Sequence, residues 1–198
     1  MTEYSANITS EELASYQLSC FKGEIILVED IETFKSVLPR LKSIKLFGFD
    51  TETRPMFKKG RRNNVSLVQL ATNNFAVLIR INKIGIPDEL IDLLSDSSVI
   101  KAGVALHDDL RFLSRIKKFT PASFIDLQPL VKKFGIESSG LKKLTAIVLG
   151  FRISKSQQVT NWETDSLTEA QQVYAATDAW VCHQIYSKLM NGKSQDNS

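Results

Sequence analysis

Three short stretches of this sequence put carboxylates where apolar structure should be. Asp50-Thr51-Glu52 closes the run IKLFGFDTE, which reads as a buried strand. Side chains two apart on a strand point to one face, so both carboxylates face one point beside an apolar sheet. Like charges held that close repel unless a cation lies between them. A D-x-E pair is also common by chance, and the chain carries another, Asp30-Ile31-Glu32. There the apolar period turns helical right after Asp30, so helix capping accounts for it. After Glu52 come Thr53, Arg54 and Pro55, which block a helix.

The second stretch is Tyr174-Ala-Ala-Thr-Asp178, in a long helical pattern. Residues four apart share a helix face. The stripe runs Leu167, Ala170, Tyr174, Asp178, Val181, Ile185, Leu189, and Asp178 is its one charge. A carboxylate there needs a cation, a donor or a proton. A local hydrogen bond to a nearby loop would also satisfy it.

The third stretch is KAGVALHDDLRFL, Lys101 to Leu113, where a strand gives way to a helix that begins with acids. Asp108 and Asp109 at a helix start are ordinary capping residues. Asp109 shares a face with the apolar Phe112 and Leu113, whereas Asp108 suits a solvent-facing cap.

Taken together, these acids sit on apolar structure without a basic partner at matching helix or strand spacing. Oxygen-only ligands suit hard cations such as Mg²⁺ or Mn²⁺. Carboxylates around two such ions suit in-line displacement at phosphorus.

The elements that must position them alternate between strand and helix. Strands are expected at Glu24–Val28, Ile44–Asp50, Val65–Ala71, Phe75–Ile79, Val99–Val104 and Ser123–Asp126. Thr-Asn-Asn between the third and fourth suggests a hairpin. Helices are expected from Asp30 through Leu41, Pro87–Leu94, Asp108–Lys118, Leu127–Phe134, Gly140–Gly150 and Leu167–Met190. Capping boxes open a short first helix at Thr9-Ser10-Glu11-Glu12 and the last one at Ser166-Leu167-Thr168-Glu169. The alternation predicts a layered α/β domain, and the hairpin a mixed sheet. Residues 1–23 read as an N-terminal helical extension, 24–190 as the main domain and 191–198 as a polar tail.

Composition bounds the rest. The chain has 198 residues, 43% hydrophobic and 24% charged, with a net charge of +3. That is globular usage, not disorder or a polybasic binder, so any charge that meets nucleic acid must be local. Cys20 and Cys182 stand far apart with no CxxC pattern, which disfavours a disulfide framework or a zinc site. The acidic N-terminus is no signal peptide, and no apolar run suggests a membrane span. A soluble, cytoplasmic protein is expected, with no room for a second domain.

GFDTETRP, KAGVALHDDLRFL and VYAATDAW resemble the three exonuclease motifs of the DEDD superfamily. The branch of ribonuclease D and the Werner-syndrome helicase exonuclease domain is the nearest in pattern. VSLVQLAT, SSGLKKLTAIVLG and NWETDSLTEAQQ match its connecting segments, so the resemblance spans about Glu24 to Met190. It implies an RNase H-like fold and stepwise 3′-to-5′ removal of nucleotides. By position it implies that Asp50, Glu52, Asp109 and Asp178 hold two divalent ions, Mg²⁺ or Mn²⁺. The spacing from Lys101-Ala-Gly-Val selects Asp109 over Asp108, and Tyr174 marks the tyrosine subclass. A phenol is a poor general base at neutral pH but can aim a water. One departure is Ala105, where proofreading exonucleases often carry Asn, which argues against that branch.

Substrate contacts are expected beside these motifs. Arg54-Pro-Met-Phe-Lys-Lys-Gly-Arg-Arg62 has five basic residues and no acid, and leaves the first motif directly. Arg54, Lys58, Lys59, Arg61 and Arg62 suit a backbone-gripping loop with Phe57 as a stacking residue, though a merely solvated loop has the same composition. Thr51, Gly103 and Phe112 are further candidate contacts. Gly103 equally suits a tight strand-to-helix turn and Phe112 core packing. Trp162 and His183 read as structural, His107 as surface or neighbouring support, and Lys142-Lys143 as a solubilising face. The expected function is a metal-dependent 3′-5′ exonuclease releasing nucleoside monophosphates from DNA or RNA. The alternatives are a catalytically inactive nucleic-acid-binding module and an endonuclease on the same fold. Expected partners are nucleic-acid 3′ ends and no membrane, with a helicase or repair partner left open.

Overall fold

A computed structural model describes residues 4–54 and 65–195. Its strands are β1 (Glu24–Val28), β2 (Leu46–Thr53), β3 (Val65–Ala71), β4 (Phe75–Ile79), β5 (Ile100–Gly103) and β6 (Phe124–Asp126). The helices are α1 (Ser10–Ser15), α2 (Ile31–Lys42), α3 (Ile81–Ile84), α4 (Asp88–Ser95), α5 (Leu106–Ile116), α6 (Leu127–Lys132), α7 (Leu141–Leu149) and α8 (Glu169–Gln195). The strands form one sheet in the order β1-β4-β3-β2-β5-β6. Only β3 runs antiparallel to its neighbours, so the expected mixed sheet and its β3–β4 hairpin are both present.

Alternation along the strands divides the core between two faces. Phe47 and Phe49 of β2 join Phe34, Leu41, Leu90, Leu94, Leu106 and Leu113 from α2, α4 and α5 on one face. Leu67 and Ala71 of β3 meet Trp162, Tyr174, Ala175 and Ala179 on the other. There α8 lies across the sheet, with α6 and α7 completing that layer. Helix α8 is buried nearly all round between Tyr174 and Ile185, because the sheet covers one side and α7 another. Its predicted single stripe is therefore too narrow, and Ala170, assigned to it, is exposed.

Local signals set several helix starts, and tertiary ones displaced others. The Thr9 capping box forms as expected, but α1 stops at Ser15 and the chain extends through Tyr16. At α8 the box is Thr168 with Gln171, each bonding the other's backbone N–H, and not Ser166 with Glu169. Helix α5 begins at Leu106, two residues before its predicted start, so Asp108 and Asp109 lie inside its first turn and cap nothing. The cap comes from elsewhere: the Asp126 carboxylate accepts from the N–H groups of Ala105 (3.3 Å) and Leu106 (3.2 Å). Ala105 sits there at φ 58°, a left-handed conformation that costs an L-residue roughly 1–2 kcal/mol.

Gly48 lets the two halves of the site meet. A Cβ built on it would lie 1.8 Å from the Ala179 carbonyl oxygen. Only glycine allows the α8 backbone to touch β2 here, and Asp178 is thereby brought over Asp50.

Candidate functional site

Strand β2 delivers Asp50 and Glu52, and α8 delivers Tyr174 and Asp178. One carboxylate oxygen from each of Asp50, Glu52 and Asp178 lies within 4.8 Å of the others. The side chains stand largely out of water in an apolar setting. Burial first, then the neighbouring Asp178 and Asp109, holds the Asp50 carboxyl well above the usual range. Burial and the other three acids push Glu52 to about 10. Burial raises Asp178 only to about 7, because the Tyr174 hydroxyl donates to it and Lys142 attracts its charge. Tyr174 itself is driven up by burial and by these acids, so its phenol stays protonated at any neutral pH.

Asp109 approaches from α5 on the other side of β2. Its Oδ1 accepts from the Thr51 hydroxyl at 2.6 Å. Burial lifts it to about 6 despite that bond. Asp109 is outside the tight three-carboxylate group but close enough to raise both Asp50 and Glu52. The donors are all oxygens, three converge within one coordination sphere, and among the described residues none of the three is in an ion pair. That set fits a divalent hard cation.

The expected substrate contacts fare unevenly. Thr51 is buried and its hydroxyl is engaged by Asp109. Gly103 is buried too; a Cβ there would lie 2.4 Å from Leu106 Cδ2 and 2.6 Å from the Phe49 carbonyl oxygen, so close internal packing explains this glycine. Phe112 packs against the core beneath α5, with Arg111 and Arg115 over its ring. Arg54 is exposed and pairs with Glu163 at 3.2 Å, and Glu163 also accepts from Ser66. Phe57, Lys58, Lys59, Arg61 and Arg62 lie outside the described residues.

Trp162 is fully buried against Tyr174, and His183 is buried on α8, as their packing readings anticipated. Several residues around the site carried no signal in the sequence. Gln69 lies directly across the β2–β3 ladder from Asp50, fully buried, with neither amide atom bonded among the described residues. Lys142, read as solubilising, instead lines a cleft of about 700 Å³ together with Tyr174 and Asp178. Asp126 aims α5. Each depends on a contact distant in sequence, which periodicity cannot register.

A family model described as 3′-5′ exonuclease matches residues 25–192. The mouse bifunctional 3′-5′ exonuclease/ATP-dependent helicase WRN is 35% identical over 77% of this chain and 11% of its own length. The Drosophila melanogaster exonuclease 3′-5′ domain-containing protein 2 is 36% identical over 84% of this chain and 30% of its own. The chain thus spans under a third of either curated relative. Among solved structures, Escherichia coli RNase D, described as an exoribonuclease involved in structured RNA processing, superposes with a TM-score of 0.76. It is 26% identical, covering 86% of this chain and 45% of that one. The Aedes aegypti Nibbler EXO domain has the same fold, with a TM-score of 0.79 at 24% identity over 89% of this chain and 93% of that one. The mixed sheet between helical layers is the RNase H-like architecture.

Proposed function

The chain belongs to the 3′-5′ exonuclease family, and from that premise we propose that it hydrolyses phosphodiester bonds at nucleic-acid 3′ ends, releasing nucleoside monophosphates. The observation that carries this reading is the convergence of Asp50 and Glu52, both half-buried, with the buried Asp178 within 4.8 Å. Such a cluster is unfavourable in the protein alone and becomes favourable when it holds cations.

In this reading Asp50, Glu52 and Asp178 would hold a divalent ion, with Asp109 as a further carboxylate ligand nearby. Bound Mg²⁺ or Mn²⁺ would lower the pKa of water and neutralise the oxygens of an in-line displacement. The chain's own groups supply position. Tyr174, protonated and bonded to Asp178, is a donor that orients a neighbouring oxygen, not a base. Thr51 fixes the Asp109 carboxylate, and the Asp126 cap fixes the helix carrying it. Arg54 and the basic residues of 55–64 supply charge next to the first motif.

The test incubates 5′-labelled single strands and duplexes of DNA and RNA with Mg²⁺ or Mn²⁺, with and without chelator. A metal-dependent ladder shortening from the 3′ end is expected. Binding without any metal-dependent product would sink the proposal.

A further inference from the structure

The family match begins at residue 25, yet the segment before it reaches the site. Residues between Asn7 and Lys22 line two cavities that also reach Tyr174 and Asp178. Asn7, Ser10 and Leu13 line the 700 Å³ cleft together with Lys142, Lys143 and Lys155. A second cavity, about 540 Å³, lies between Gln17–Lys22 and the face of α8 bearing Tyr174 and Asp178.

The segment is anchored along its length. The N–H groups of Glu137 and Ser138 donate to the Ala6 carbonyl. Ser19 and Arg152 bond through their backbones, and Arg152 Nε donates to the Tyr16 carbonyl at 2.9 Å. The Phe21 N–H donates to Thr177 Oγ1 at 2.9 Å, one residue before Asp178. A segment tied at three places to the body is a fixed wall.

The facing surface is electropositive. Lys142 is half-buried and lies near Lys155 and Arg152 as well as Asp178. Apart from Asp178, the lining carries one carboxylate, Glu137, which accepts from Asn7. Three lysines against two carboxylates, one of them a proposed metal ligand, suit a chain of phosphates beside a proposed phosphodiesterase centre.

We propose that residues 4–22 and the Lys142–Lys155 surface form a two-walled subsite for the phosphate backbone of the single strand leading to the scissile bond. This rests on the exonuclease reading. Lys142 contacts a phosphate near the reacting one, and the N-terminal segment confines the strand against it. The segment is thus part of the enzyme's substrate selection, although it precedes the family domain.

The test measures binding of fluorescein-labelled single-stranded DNA and RNA oligonucleotides by the full chain carrying Asp50→Asn, so that strand binding is read apart from cleavage. Lys142→Ala should weaken binding about 5- to 10-fold and flatten the salt dependence by about 0.7, one phosphate contact to a single strand. Leu13→Glu should weaken binding several-fold, Leu13→Lys should strengthen it, and Lys35→Ala on α2 should change nothing. Opposite effects of the two Leu13 charges at unchanged melting temperature identify a strand-facing wall. Unchanged binding in Lys142→Ala, or equal losses from both Leu13 variants, would overturn the proposal. Absence of nuclease activity in the unmodified chain would instead defeat the exonuclease reading and leave the binding result standing.

Discussion

Arg80, fully buried just after β4, and Asp50, half-buried on β2, are both ionisable groups, yet their surroundings differ. Arg80 is fully buried and donates to Glu29 at 2.6 Å and to the carbonyls of Thr164 and Asp165. Lys83 reinforces it, bonding the same Glu29 and the same Asp165 carbonyl. These bonds staple the loop that carries Trp162 and leads into α8. Asp50 has Glu52, Asp178 and Asp109 as neighbours, all of its own sign. One region satisfies its charge within the protein and gains rigidity from it. The other leaves its charge unmet, which favours binding a cation from outside. A buried polar group that the fold has not paired is thus a better guide to function than burial itself.

The sharpest way to break this comparison is Asp50→Asn or Asp178→Asn. Each should reduce nuclease turnover by about 10³-fold or more, the several kcal/mol that metal stabilisation of a transition state supplies. The metal-free variant should melt higher than the metal-free parent, since a group whose ionisation the fold opposes is gone. Retained turnover, or a lower melting point, would contradict the assignment.

Arg80→Met tests the opposite region. Glu29 is partly exposed and keeps Lys83, so the loss is that of the donors to the Thr164 and Asp165 carbonyls, about 1–3 kcal/mol, or some 2–12 °C for a chain of this size at about 2–4 °C per kcal/mol. Calorimetry without metal checks it, and a loss under about 1 kcal/mol would show that the carbonyl contacts carry little.

Tyr174→Phe should slow turnover about 10- to 100-fold, the range of one lost positioning hydrogen bond, while metal affinity stays nearly constant. Unchanged turnover would remove Tyr174 from the reaction.

The smallest expected effect is on pH. Asp109 and Asp178 have folded values raised to about 6 and about 7, so the fold favours their neutral forms. That contribution is full below the ordinary carboxylate range and is lost as pH rises through those values. The chelator-treated protein should therefore melt progressively lower from about pH 5 to about pH 8. Mg²⁺ or Mn²⁺ should flatten the curve, and a metal-free curve rising over that span would reverse the sign argued here.

Much of the fold was legible because its signals are local. The bounds of β1, β3 and β4 follow from short apolar runs set off by polar residues, and the Thr9 box from a spacing of three. The register of Asp50 and Glu52 follows from strand period alone. The start of α5 was not legible, because its cap, Asp126, is twenty residues away from Leu106 along the chain. Nor was the burial of α8 on more than one side, because α7 contributes it.

By itself the sequence determined which acids stand on which elements, the alternation that makes a layered α/β domain, and the motifs that mark the family. The tertiary structure decided what those acids face. Close contact of α8 with Gly48 brings Asp178 to Asp50, and Thr51 turns Asp109 beside them. It also turned Lys142 from a surface charge into part of a cleft that Asn7, Ser10 and Leu13 help to line. The physical reason is range. Strand and helix periods act over a few residues and are written in order along the chain. The field at a carboxylate is summed over every charge nearby in space, whatever its place in sequence.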